Sequence, residues 1–243
     1  MFTTKSLDLL SKLRCSPEET NDYPERFSRD ILLPFQSLIQ DITEFMYELE
    51  PNIDMPPGKK GNISRSKSAP FSSGYDSVTA VFKRDRNVYP SHPFIKVAVT
   101  PYHYSIQISC ASFCRDLMDT IRLMAIDGTE KFMKAWAIIT GSNNIHLSGK
   151  RFSVEPDTRF YYYPDEKIKF FLAYRDFCVH VCYDLETLIC DDFSERLKRQ
   201  ILYIMPVYEF LLSAAESAGR YPSEPGILKK WNIHPREIRK LNM

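Results

Sequence analysis

The sequence predicts an α+β domain, a mainly antiparallel sheet packed with several amphipathic helices, on three observations. Apolar residues recur at helical steps in two long segments, apolar and polar residues alternate in two short ones, and helices come in groups rather than in alternating βαβ units. A first short helix is expected around Leu7, Leu10 and Leu13. From about Pro24 to Leu49, the residues Phe27, Ile31, Phe35, Leu38, Ile42, Phe45 and Leu49 fall three or four apart, which predicts a longer helix that Pro34 should kink.

After Pro51 the character changes. Met55-Pro56-Pro57-Gly58-Lys59-Lys60-Gly61 and Ser64-Arg65-Ser66-Lys67-Ser68-Ala69-Pro70 hold too many breakers for a helix, and the stretch reads as a functional or flexible loop. Strands follow: Ser77 to Lys83 with its β-branched and aromatic residues, a segment with Ile95, Val97 and Val99, and a segment in which Tyr104, Ile106, Ile108 and Cys110 alternate with His103, Ser105, Gln107 and Ser109. Such alternation predicts a sheet with one buried and one wet face.

Phe113, Leu117, Ile121 and Met124 predict a helix ending near Gly128, and Phe132, Met133, Trp136 and Ile139 another ending near Gly141. Asn143-Asn144 reads as a turn, and the region from Ile145 to Val154 as extended chain. Phe177, Val179, Val181 and Tyr183 alternate with Cys178, His180 and Cys182, a further strand. The last helix opens on Asp192 with Glu195 three residues on, the pattern of a capping box. It carries Phe193, Leu197, Ile201, Ile204, Tyr208, Leu211 and Ala215 on one face, with a bend expected at Pro206 and an end at Gly219. The predicted organisation is a single domain over 1–218 and a basic C-terminal extension over 219–243.

Composition narrows the classes of function. A chain of 243 residues with 44% apolar residues can bury a core without disulfides or metal. With 32 basic and 31 acidic residues the net charge is +1, so any anionic partner has to be held by a local patch and not by the field of the whole molecule. No apolar run approaches the ~18 residues of a membrane span. The N-terminal residues lack the apolar stretch of a signal peptide, so the six cysteines are expected as reduced thiols and the location as cytoplasmic. The common phosphate-loop, dinucleotide, zinc-protease and serine-hydrolase motifs are not found.

Three groups of residues remain as candidates. Cys110 with Cys114, and Cys178 with Cys182 around His180, have ligand chemistry for zinc, but strand spacing and the usual burial of thiols favour core cysteines. The segment from Lys59 to Ser73 interleaves Lys59, Lys60, Arg65 and Lys67 with serines. A solvated loop is its ordinary reading, with anion binding and phosphorylation as the alternatives. The third group is the basic cluster of Lys229, Lys230, Arg236, Arg239 and Lys240 around Trp231 and His234.

The run Phe170-Phe171-Leu172-Ala173-Tyr174-Arg175-Asp176-Phe177-Cys178-Val179, followed by Asp191-Asp192-Phe193 and Met205-Pro206-Val207-Tyr208-Glu209-Phe210-Leu211, resembles the close of a family of bacterial and fungal proteins, domain of unknown function 2461. There a leucine-rich segment ends in a basic residue before an aromatic strand, and a helix then carries Pro-x-x-x-Phe-Leu. Ile121-Arg122 and Lys150-Arg151 fall where that family tends to have Ile-Arg and Lys-Arg, and order and spacing match from about Leu7 to Ala215. The family's polar motif, approximately Arg-Asp-x-Arg-Phe-Ser-x-Asp-Lys-x-Pro-Tyr-Lys-Thr, is matched by Phe71, Ser72 and Tyr75, and Lys67 keeps a positive charge. The acidic residue and the second arginine are missing. The resemblance therefore implies a fold, and a weakened or altered version of the family's polar site.

The expectation is a non-catalytic binding or regulatory module with a basic, Ser-rich anion-binding loop. The ligand candidates are Arg65, Lys67, Ser72, Tyr75, Arg122, Lys150, Arg151 and Arg175, with no metal or cofactor assigned. An enzyme acting on a phosphate-bearing or nucleic-acid substrate is the alternative, and a protein–protein interaction module the third. Convergence of the cations around a carboxylate such as Asp76 or Asp116 would favour the enzyme.

Overall fold

The computed structural model describes residues 1–15, 23–49, 63–66, 77–83, 92–110, 113, 115–148 and 178–218. Its centre is a six-stranded, wholly antiparallel sheet of order β1-β2-β3-β4-β6-β5. The strands are β1 (Ile63–Ser66), β2 (Ser77–Lys83), β3 (Pro93–Val99), β4 (Tyr104–Cys110), β5 (Ile145–Ser148) and β6 (Cys178–Tyr183). Thr100 fixes the turn between β3 and β4, its Oγ1 donating to the His103 carbonyl at 2.9 Å and accepting from the His103 N–H at 3.2 Å. The expected α+β architecture is present.

Helices α1 (Thr4–Cys15), α2 (Tyr23–Phe27), α3 (Leu33–Leu49), α4 (Arg115–Ile126), α5 (Glu130–Gly141) and α6 (Phe193–Ser217) join the sheet's apolar face in one core. Along the strands that face carries Val78, Ala80, Phe82, Ile95, Val97, Val99, Tyr104, Ile106, Ile108, Val179 and Val181. Helix α6 crosses β3 and β4 and also packs against α3, α4 and α5. Being surrounded, it buries Met205, Val207, Phe210 and Ala214 besides the predicted stripe, a wider face than one row at helical steps. Ala215 is only half-buried, and Gly219 lies outside the described residues.

Three local expectations are corrected. The predicted kink takes the form of a π turn, Ser28–Leu32, immediately before Pro34, with the Leu33 N–H bonded to the Ser28 carbonyl. Pro34 has no N–H to offer the Asp30 carbonyl four residues back, and the buried Ser6 Oγ donates to that carbonyl at 2.6 Å, tying α1 to the turn. The capping box does not close: α6 begins at Phe193 as expected, but the Asp192 side chain makes no cap bond and instead pairs with Arg196 at 2.8 Å and Arg199 at 3.5 Å. Finally, part of the predicted loop is strand β1, whose backbone pairs with β2 while its Ser-Arg-Ser sequence suits an edge.

The α4–α5 corner follows from two residues. Gly128 has φ +59°, its N–H bonds the Ala125 carbonyl at 3.3 Å, and the Thr129 N–H bonds that of Met124 at 3.1 Å, a Schellman stop. Thr129 then caps α5, accepting from the Phe132 N–H at 3.3 Å. A Cβ at Gly128 would meet nothing within 4 Å, so Gly128→Ala is expected to cost only the left-handed backbone term, about 1 kcal/mol, by urea unfolding. Gly141→Ala, equally open in space and without a positive φ, serves as the control and should cost almost nothing.

Candidate functional site

Residues that alternate with the core positions form the second face of the sheet. On β2 to β4 it carries Thr79, Val81 and Lys83, then Phe94, Lys96 and Ala98, then Ser105, Gln107 and Ser109; β6 adds Cys178, His180 and Cys182, and β5 adds His146. This face was expected to be wet, and that is corrected. Ser77, Thr79, Ala98, Ser105 and Ser109 are buried, while Lys96, Gln107 and His180 are half-buried. Small side chains on inner strands sit below taller neighbours, and Gln107 Nε2 reaches over to donate to Ser105 Oγ at 3.3 Å.

Register sets the taller groups in a row. His146 lies opposite His180, His180 opposite Gln107, Gln107 opposite Lys96 and Lys96 opposite Val81. At strand spacings of about 4.8 Å the backbones of His146 and Lys96 stand roughly 14 Å apart. His103, fixed by the Thr100 turn, stands one residue before β4 on the same alternation. None of the six described strands contains an Asp or a Glu, although the chain has 31 acidic residues, so the charged side chains these strands contribute to this face are all basic.

The electrostatics follow from that imbalance. Burial lowers the His180 pKa, and Lys96, His103 and His146 lower it further. Burial also lowers that of His103, again with help from His146. Burial pushes the Cys178 thiol up to about 11 against the opposing pull of Lys96 and a hydrogen bond with Ser109, and it raises Cys182 as well. At neutral pH the face therefore presents neutral imidazoles, protonated thiols and the Lys96 ammonium, with no thiolate nucleophile. Among the described residues no group of three or more His, Cys, Asp or Glu side chains is placed to hold a metal ion.

A stability prediction follows. An imidazole whose folded pKa lies below the unfolded value near 6.5 is protonated more readily in the unfolded chain. The stability present at neutral pH is thus lost as pH falls below about 6.5 and through the lower folded values. Urea midpoints should drop between pH 7 and 5, and H103Q/H180Q should flatten that drop.

Of the predicted ligand residues, two fall within the described structure. Arg65 is on edge strand β1, opposite Val78 in register. Arg122 is buried on α4, its Nη1 3.0 Å from Asp119 Oδ1 one turn earlier, with only 4% of its side chain exposed. Lys67, Ser72, Tyr75, Lys150, Arg151 and Arg175 lie outside the described residues, as do Asp76, Cys114 and the basic cluster beyond Gly219. Cys110 is buried on the core face whereas Cys178, His180 and Cys182 share the opposite one, so the sheet itself keeps Cys110 apart from the other two strand thiols. Lys96, Gln107, His146 and the role of His103 were not singled out in the sequence; the available signal was strands without acids, with four of the five histidines in or beside them.

The chain matches no protein-family model and no curated protein. No helix among the described residues is long and apolar enough to cross a membrane. Fold and site together define a class: an α+β protein whose antiparallel sheet has one helix-covered apolar face and one half-sheltered polar face to which the described strands contribute no acidic residue.

Proposed function

We propose that this protein is a non-catalytic binding module that takes a phosphate-bearing anion on the polar face of its sheet. Lys96 supplies the charge there, and Gln107 and the imidazoles of His180 and His146 supply hydrogen bonds. The observation that carries the reading is the absence of any carboxylate from six strands that bear Lys83, Lys96, His146 and His180. An anion on this face meets no like charge from the strands, and half-burial strengthens the bonds from Lys96, Gln107 and His180, while His146 is exposed. The Ser-rich basic stretch from Lys59 to Ser73 joins the same sheet through β1, which places its Ser64-Arg65-Ser66 segment at the edge. Relationship to domain of unknown function 2461 belongs to the same reading, supported by the matched motifs, and so does a cytoplasmic, reducing location, supported by an N-terminal stretch without the apolar run of a signal peptide.

Calorimetric titration with pyrophosphate tests it. Binding should weaken with added salt, and Lys96→Ala should lower affinity about tenfold, which corresponds to about 1.4 kcal/mol. Unchanged affinity in that variant would place the ligand elsewhere. One observation favours a second reading, an enzyme acting on a phosphate-bearing substrate: a neutral, half-buried imidazole beside a cation, as at His180, is suited to general-base work. Release of phosphate from a nucleotide, lost in His180→Gln, would replace the binding reading by this one.

A further inference from the structure

We propose that anion binding at this face is proton-linked: a divalent oxyanion of the phosphate or sulfate type draws protons onto His180 and His103, so the site binds more tightly as pH falls below neutral. This rests on the binding reading above and specifies how the same site is regulated.

The geometry supplies the coupling. His180 lies directly opposite His146 on β5 and opposite Gln107 on β4, with Lys96 one strand further. The titratable or charged groups that the surrounding strands place on this face are Lys83 from β2, Lys96 from β3, His146 from β5, and Cys178 and Cys182 from β6; His103 comes from the β3–β4 turn. None of these strand and turn groups is a carboxylate, and burial keeps the two thiols protonated. With the site empty, a proton on His180 or His103 therefore meets desolvation and repulsion together, and both rings are held neutral.

A bound divalent anion reverses the sign of the nearest charge. It opposes the repulsion from Lys96 and gives each imidazolium a charge-assisted acceptor, so protons lost on folding are regained on binding. A ligand that prefers the protonated site binds more tightly as protons become available, by up to tenfold per pH unit for each proton taken up. Neutral Gln107 in the middle of the row donates through its amide at any pH, which leaves a weaker, Lys96-dependent affinity above neutrality.

Sulfate is the decisive probe, because its own charge does not change between pH 5.5 and 7.5. Calorimetry on the full chain should show about tenfold tighter sulfate binding at the lower pH. Ring-proton NMR should show the midpoints of His103 and His180 moving upward when sulfate is added. His180→Gln should remove most of the pH dependence, leaving nearly the same affinity at pH 5.5 as at pH 7.5. If that variant does not fold, the His103 and His180 midpoints in the unmutated protein decide the matter alone. Sulfate and pyrophosphate binding of equal strength at both pH values, with unmoved midpoints, would overturn the proton linkage and leave the binding module standing. No binding of either anion at either pH would overturn both.

Discussion

Replacing Tyr104 with alanine is expected to lower the free energy of unfolding by about 4 kcal/mol and the melting temperature by roughly 10 °C. Tyr104 opens β4 on the core face and is wholly buried. Its ring stacks on Tyr183 with centroids 4.9 Å apart and meets Phe193 edge-on at 5.0 Å, which fastens two central strands to the first turn of α6. Its hydroxyl donates to Gln200 Oε1 at 3.0 Å, and burial holds the phenol protonated well above the usual range. The ring supplies most of the effect, since truncating a buried aromatic loses both transfer energy and packing around the cavity left behind. Tyr104→Phe, which keeps the ring and removes one hydrogen bond, should therefore cost only about 1 kcal/mol. Urea unfolding of both variants separates the contributions, and equal losses would show that the hydroxyl and not the ring dominates.

The second large effect concerns Arg122, a residue that sequence resemblance marks as a ligand group. Removing its acidic partner with Asp119→Ala is expected to destabilise the fold by about 3 kcal/mol, because the guanidinium stays buried on α4 without the carboxylate 3.0 Å away. Arg122→Met takes the charge out together with the need to balance it, and its unbranched chain follows the same path through the helix layer. That variant should fall within about 1.5 kcal/mol of the unmutated protein. The pair of variants also decides the residue's role. If Arg122 serves the packing of α4, Arg122→Met retains pyrophosphate affinity while Lys96→Ala loses it; the opposite pattern would return Arg122 to the ligand site.

The helices were legible because each repeats its apolar residues at a period that survives reading in isolation. Phe27, Ile31, Phe35, Leu38 and Ile42 are all buried as the stripe requires, while Phe45 and Leu49 near the helix end are half-buried. Strands β3, β4 and β6 were legible for the same reason at period two, and β2 by its β-branched and aromatic residues. Edge strand β1 was not: Ile-Ser-Arg-Ser carries no alternation of its own and is a strand only because β2 offers it hydrogen-bonding partners. Asp192 shows the opposite failure, a local pattern present in full while two arginines, one and two turns on, compete successfully for the carboxylate.

The candidate site was hidden for a geometric reason. His103, His146 and His180 stand far apart in sequence without any repeating interval, and only the insertion of β6 between β4 and β5 brings two of them opposite each other. Strand order and register depend on contacts between distant segments, so no window along the chain contains them. What the sequence did hold was that any anionic partner of a molecule of net charge +1 needs a local patch, and the absence of acids from the described strands is what singles this face out as the candidate.

The lengths of the strands have a further consequence. The described outer strands, β1 and β5, have four residues each, whereas the inner ones have six or seven. A neighbouring molecule seeking to extend the ladder would find few backbone groups to grip, and at one side it would have to set a strand against Ser64-Arg65-Ser66. Among the described residues, both margins of the sheet thus offer a neighbouring molecule only a short ladder, and a strand added at β1 gains few backbone bonds there.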